Sequence, residues 1–194
     1  MQTSRDAPET RPDDFLGDLT RPGFVAAAYW GSMLLYGGVL ILLWVERGPD
    51  NPIYALMLAA WTFILTPGVA IPVMRRVPRR WHHVPRGERT LHRMLGVDAF
   101  GRMLSRSGYN RRFVHSNWRF TINRAGLPLR AQAARGGAAA HGACFLIHVA
   151  LTVLALVAGY RWGALWLLMP GIVIHFYPVM LQRAIMLRLQ RLMT

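Results

Sequence analysis

At 194 residues, with 53% apolar residues and a net charge of +14, the chain has room for one domain and is too apolar for an ordinary soluble one. All 23 basic residues are arginine and Cys144 is the sole cysteine, which excludes lysine Schiff-base chemistry and an intramolecular disulfide. No zinc-finger or RNA-binding motif accompanies the positive charge, so nucleic acid is not expected as a partner.

Residues 1–23 are polar, hold five acids, and carry Pro8, Pro12 and Pro22 without an apolar period. They predict a disordered cytoplasmic lead-in, too long and too acidic for the start of a cleavable signal peptide. Residues 24–194 then read as a single membrane domain. Four apolar runs, Phe24 to Val45, Ile53 to Met74, Ala138 to Ala158 and Trp162 to Leu181, contain no Asp, Glu, Lys or Arg. Each has the roughly 20 residues that a helix needs to cross a hydrocarbon core of about 30 Å. The expected fold class is an all-α integral membrane protein with four transmembrane helices.

The arginines orient it. Three precede the first run, fifteen lie between Arg75 and Arg135, three follow the fourth run, and only Arg47 and Arg161 fall in the other two loops. The positive-inside rule then predicts a multi-pass protein of the cell (inner) membrane with both termini and the 75–137 loop in the cytoplasm. Anionic lipid headgroups are the natural partners of that charge.

The second run contains Thr66-Pro67-Gly68 and Pro72. A kink is expected there, with a hydroxyl such as that of Thr66 serving the carbonyls the prolines leave free. In the loop, Arg79-Arg80-Trp81-His82-His83 suits the membrane interface. Glu88 to Leu104 reads as one interfacial amphipathic helix, with Leu91, Met94, Leu95 and Leu104 on one side, ended by Ser107-Gly108. Trp81, Phe100, Phe113, Trp118 and Phe120 argue against a disordered loop. Leu129 to Ala140 favours helix and leads into the third run, and Gly159-Tyr160-Arg161 must be a tight turn joining the third and fourth runs into an antiparallel hairpin.

Three histidines fall inside runs, and ionisable groups there are functional candidates. His141 and His175 lie about 5 and 9 Å from the cytoplasmic ends of the third and fourth runs at 1.5 Å per residue, so they can face each other across the hairpin. His148 shares the face of His141 and reads as a hydrogen-bonded packing group. Two roles fit the histidines: general base and partner toward a substrate hydroxyl, or ligands to a metal or haem. No carboxylate or HxxxH pattern supports the second, and no metal is expected. At the exit of the fourth run, Tyr177-Pro178, Gln182-Arg183 and Arg188 place arginine at headgroup level, suited to a phosphate, a carboxylate or a thioester carbonyl.

These residues resemble the membrane family of glycosyl-4,4'-diaponeurosporenoate acyltransferases, which act at the end of staphyloxanthin-type carotenoid biosynthesis. The resemblance covers roughly residues 75 to 190. It rests on Gly87-Glu88-Arg89 leading into Leu95-Gly96-Val97 and Phe100, on His141 opening the third span, and on Tyr177-Pro178 followed by Gln182-Arg183 and Arg188. The chain departs from the family pattern at Ala138, where a glutamate is usual, at His175, where an asparagine is usual, and at Ala184 and Ile185. What the resemblance implies is transfer of a fatty acyl group to a hydroxyl of a lipid-soluble, glycosylated isoprenoid at the cytoplasmic interface. It further implies acyl-CoA or a similar donor as co-substrate with no bound cofactor, His141 as the base assisted by His175, and substrate contacts from Glu88, Arg89, Tyr177, Gln182, Arg183 and Arg188. The competing expectations are a non-enzymatic membrane subunit whose arginine-rich loop binds lipid or a membrane protein partner, and a metal or haem membrane protein.

Overall fold

The structure is a computed structural model and describes residues 23–108 and 126–193. The expected lead-in, and Phe113, Trp118 and Phe120, lie outside the described residues. Among the described residues the chain is helical apart from short connections and has no strand, with α1 at Phe24–Arg47, α2 at Pro52–Arg76, a 3-10 turn at Arg79–His82, α3 at Glu88–Met94, α4 at Val97–Arg106 and α5 at Leu127–Val157. A last continuous helix comprises α6 (Arg161–Pro170), a π turn (Gly171–Phe176) and α7 (Tyr177–Met193). Four helices, 24–47, 52–76, 127–157 and 161–193, are long and apolar enough to cross a membrane. The chain is thus an all-α, multi-pass membrane protein.

The four apolar runs lie within or at the edges of these helices, but two helices outrun them. The third begins at Leu127, with Pro128 in its first turn where a missing N–H costs no helical bond. The fourth continues past Leu181 to Met193, since nothing after Pro178 interrupts it. Apolar runs report depth in lipid, whereas the helix stops only where the backbone is told to.

One expected element is corrected. Glu88 to Leu104 is not a single helix: Gly96 takes φ +66° and separates α3 from α4. A left-handed residue ends an α-helix, and glycine adopts that conformation without a side-chain clash. Of the expected apolar face, Leu91 and Met94 are exposed, while Leu95 and Leu104 are half-buried. The predicted stop holds, with Ser107 capping α4 and Gly108 at φ +75°.

Helix α5 is central, with α2, α6, the π turn and α7 packed on it; α1 packs mainly on α2. Trp61 Nε1 donates to Met33 C=O at 3.0 Å, tying α1 to α2. The α5–α6 turn forms as expected, with Gly159 at φ +87°. On the same end, Asp50 Oδ1 accepts from Gly163 N–H at 2.6 Å, an acid at the start of α6.

Pro67 and Pro72, the two internal prolines of α2, are accommodated inside a continuous helix. Thr66 Oγ1 does donate to a carbonyl, but to Thr62 at 2.9 Å, one residue short of the Phe63 carbonyl that Pro67 leaves free. Tyr29 of α1 donates to Ile64 C=O at 2.8 Å. That approach requires Gly68, where a Cβ would sit 2.5 Å from the Tyr29 ring.

Two apolar clusters divide the interior. One, around Leu40, Tyr54, Leu58, Ala155, Ala164 and Leu167, occupies the end near the α5–α6 turn. The other, around Val84, Ala134, Ala138, Met186 and Leu187, lies where the loop folds back on α5 and α7. The histidines sit between them.

Candidate active site

Helices α2 and α5 and the π turn each contribute to a polar layer in this apolar interior. His141 Nδ1 lies 3.1 Å from His175 Nδ1. His175 Nε2 lies 2.9 Å from Thr62 Oγ1, and Thr62 Oγ1 lies 3.1 Å from His148 Nε2. His148 Nδ1 in turn lies 2.8 Å from Leu167 C=O. Thr62, His148 and His175 are fully buried, whereas His141 is half-buried at the open end of the row.

Local structure makes the row possible. Six residues of π helix follow Pro170, a widening that recurs at functional sites. Within it Tyr177 N–H reaches back five residues to Ile172 C=O. Gly171 N–H, the partner of the Leu167 carbonyl in a regular α-helix, donates instead to Leu168 C=O. Gly171 also admits His148, since a Cβ there would stand 2.6 Å from His148 Cβ.

The row has a direction. A carbonyl only accepts, so His148 Nδ1 carries a proton and, in a neutral ring, Nε2 accepts from the Thr62 hydroxyl. Thr62 Oγ1 then accepts from His175 Nε2–H, His175 Nδ1 accepts from His141 Nδ1–H, and His141 Nε2 is left as a bare lone pair. Thr62 Oγ1 is also 3.0 Å from Leu58 C=O, but turning its proton there would set oxygen and nitrogen lone pairs against each other. Neutral rings are what an apolar interior favours. One carbonyl at the far end therefore fixes the tautomer of three rings.

The sequence-predicted residues fall into two groups. His141 and His175 meet as expected. Glu88 and Arg183 also meet, but each other: Arg183 Nε donates to Glu88 Oε2 at 2.8 Å and Nη2 donates to Oε1. Nη1 donates to Trp81 C=O at 2.8 Å, and the guanidinium stands over the Trp81 ring at 5.0 Å. This is a clamp that fixes the loop and α3 onto α7. Arg183 lies eight residues beyond His175, about 12 Å along the helix, so it and the histidines form separate layers.

Gln182 packs where Gly137 leaves room, its Cδ 3.3 Å from where a Cβ would be. That contact is one turn from His141 along α5. Tyr177 stacks on Phe100 of α4, centroids 5.0 Å apart. Arg188 pairs with Asp98 at 2.9 Å, and Arg89 lines a depression beside that pair. His92, buried beneath Glu88, is held below the usual imidazole range by desolvation; Glu88 opposes this, Arg183 reinforces it and Asp98 opposes it.

Sequence reasoning missed Thr62, whereas His148 is hydrogen-bonded between helices as expected. A lone hydroxyl in an apolar run carries no mark, because serine and threonine ordinarily bond back to their own helix. Among the described residues no cluster of three or more His, Cys, Asp or Glu converges as metal ligands. The histidine nitrogens face each other, a hydroxyl and a carbonyl.

A family model described as glycosyl-4,4'-diaponeurosporenoate acyltransferase matches residues 75–194. The chain belongs to this family. The expected resemblance is thereby borne out, and the chain is placed with the acyltransferases of carotenoid tailoring. No curated protein and no solved structure matches it. The matched segment of this acyltransferase family member begins at the end of α2. All three membrane histidines lie inside it, while Thr62 lies outside.

Proposed function

We propose that this protein transfers a fatty acyl group from a thioester donor, acyl-CoA or similar, to a hydroxyl of a lipid-soluble, glycosylated isoprenoid. His141 acts as general base and His175 as its partner. The observation that carries the reading is the row of hydrogen bonds that leaves His141 Nε2 as the only unshared ring nitrogen, at the row's one accessible end.

In this reading the acceptor O–H donates to His141 Nε2. As its oxygen attacks the thioester carbonyl, the proton passes to Nε2 and a tetrahedral oxyanion forms. Collapse expels the thiolate, which takes the proton from Nε2, so ester and free thiol leave and His141 is restored. Nδ1–H donating to His175 orients the ring and stabilises the transient imidazolium, the part that a buried carboxylate plays in a serine-protease triad. That substitution suits this chain, in which Ala138 is fully buried in the loop-side apolar cluster.

The site belongs at the inner leaflet of the cell membrane, with both termini cytoplasmic. The described arginines of α3, α4 and α7 support this, because they gather at the end of the bundle onto which the loop folds. Glu88 and Arg183 act by holding the loop in place, while Gln182 and Tyr177 lie between that clamp and the histidines along the last helix.

The test is His141→Ala, with lipid extracts of membranes containing equal amounts of protein analysed by mass spectrometry. Loss of the acylated product is expected; undiminished product would remove His141 as the base.

A further inference from the structure

On the loop side of the clamp, α3, α4 and α7 enclose an open depression walled by Arg89, His92, Arg93, Asp98, Arg188 and Arg191. Its floor is apolar, formed by Ala184 and Leu187 of α7. Four guanidinium groups face one carboxylate, which is already paired with Arg188. Arg89 and Arg93, one helical turn apart on α3, are exposed and form no ion pair with the described residues. His92 is 5% exposed, and its buried Nε2 makes no hydrogen bond, the Glu88 carboxylate that it faces standing 3.7 Å away. Buried polar atoms are rarely left so in a finished structure. A dense, concave positive site, two of whose guanidinium groups have no ion-pair partner among the described residues, suits a ligand carrying several phosphate oxygens.

Its spacing from the histidines is informative. Arg188 follows His175 by thirteen residues on one continuous helix, about 20 Å at 1.5 Å per residue. In an acyl-CoA, the phosphates and the thioester stand at opposite ends of the pantetheine arm, whose extended length is of that order. We propose that this depression binds the phosphate groups of the coenzyme A part of the acyl donor, placing the thioester at His141. The inference rests on the acyl-transfer reading above and supplies its donor site. A free nucleotide phosphate and an anionic lipid headgroup share the recognised chemistry, so the test separates them.

Purified full-length protein in neutral detergent is titrated with coenzyme A and with 3'-dephospho-coenzyme A by calorimetry. The double variant Arg89→Gln/Arg93→Gln is examined in parallel, with a thermal melt to check its fold. Loss of two exposed cation contacts weakens coenzyme A binding by about tenfold or more, equivalent to about 1.4 kcal/mol, and raises KM for acyl-CoA with kcat unchanged. The dephospho form binds wild type more weakly, a comparison that does not depend on the variant folding. Coenzyme A binding that is absent, equal in variant and wild type, or indifferent to the 3'-phosphate overturns the proposal. So does a variant defect confined to association with phosphatidylglycerol nanodiscs, which identifies a headgroup site.

His141→Ala separates the two readings, because it keeps coenzyme A binding and loses transfer. If His141→Ala still transfers acyl groups, the base assignment fails and the donor site stands. If coenzyme A does not bind while His141→Ala is inactive, the base stands and the donor site fails.

Discussion

Replacing Thr62 by valine removes one hydroxyl from a fully buried position without opening a cavity, because the two side chains have nearly the same shape. Two partners lose their bond: His175 Nε2–H, now 2.9 Å from a methyl group, and His148 Nε2, 3.1 Å away. Each buried group left unsatisfied costs about 1–3 kcal/mol, so the variant should be destabilised by about 2–4 kcal/mol, allowing for partial relaxation. The catalytic consequence is separate. With Thr62 silent, His175 has no reason to carry its proton on Nε2, and His141 no longer holds Nε2 bare in every molecule. We expect kcat to fall by about ten- to a hundredfold, a loss of about 1.4–2.8 kcal/mol of transition-state stabilisation, with KM for the acceptor little changed. Thr62→Ser restores the hydroxyl and should keep most of the activity. The assay is initial-rate acyl transfer by purified protein with lipid product quantified by mass spectrometry, alongside 15N NMR of the histidine rings, which reports tautomer directly. A folded Thr62→Val protein with wild-type kcat and unchanged histidine spectra would refute the directional row. A serine variant as impaired as valine would refute it too.

Gly171→Ala forces a Cβ to within 2.6 Å of His148 Cβ and should lower stability by about 1–3 kcal/mol, read as a drop in Tm. Gly142→Ala is the control, because the nearest atom to its added Cβ is 3.9 Å away. Glu88→Gln leaves Arg183, 8% exposed, without its carboxylate and should cost about 3 kcal/mol, with faster proteolysis of the loop as the local readout. Because His92 is depressed by burial, the unfolded chain binds its proton first as pH falls. Its contribution to stability is complete above the unfolded value of about 6.5 and declines below it. Tm should therefore fall more steeply below pH 6.5 in wild type than in His92→Gln, and equal slopes would exclude His92 as a source.

The spans were legible because lipid imposes a length, and runs of 20 or more residues without an ionised group satisfy it. The helical lead into the third span was legible too, as Leu129 to Ala140 favours helix, but the end of the fourth was not, since Gln182 to Met193 is polar enough to leave the bilayer and regular enough to stay helical. The pairing of His141 with His175 could be counted from depth, as both are measured from the same face of the membrane. The pairing of Arg183 was hidden for the opposite reason. Its partner Glu88 lies 95 positions away, and an arginine at headgroup level looks the same in sequence whether it meets a carboxylate of its own chain or a substrate. Thr62 depended on three helices converging, which no single stretch of sequence records.

The π turn has a geometric effect on what lies on either side of it. Passing from 3.6 residues per turn to a wider turn admits about one extra residue, which rotates everything downstream by about 100° relative to an unbroken helix. The face of the last helix that packs Leu167 and Gly171 against His148 is therefore set independently of the face that presents His175, Gln182 and Arg183. Deleting Ile172 would restore a regular helix and swing His175 away from both Thr62 and His141 without altering a single side chain of the row. The apolar half of this helix and its loop-facing half are thus free to vary separately, so the packing surface can change on one side while the order of the hydrogen-bonded row is kept on the other.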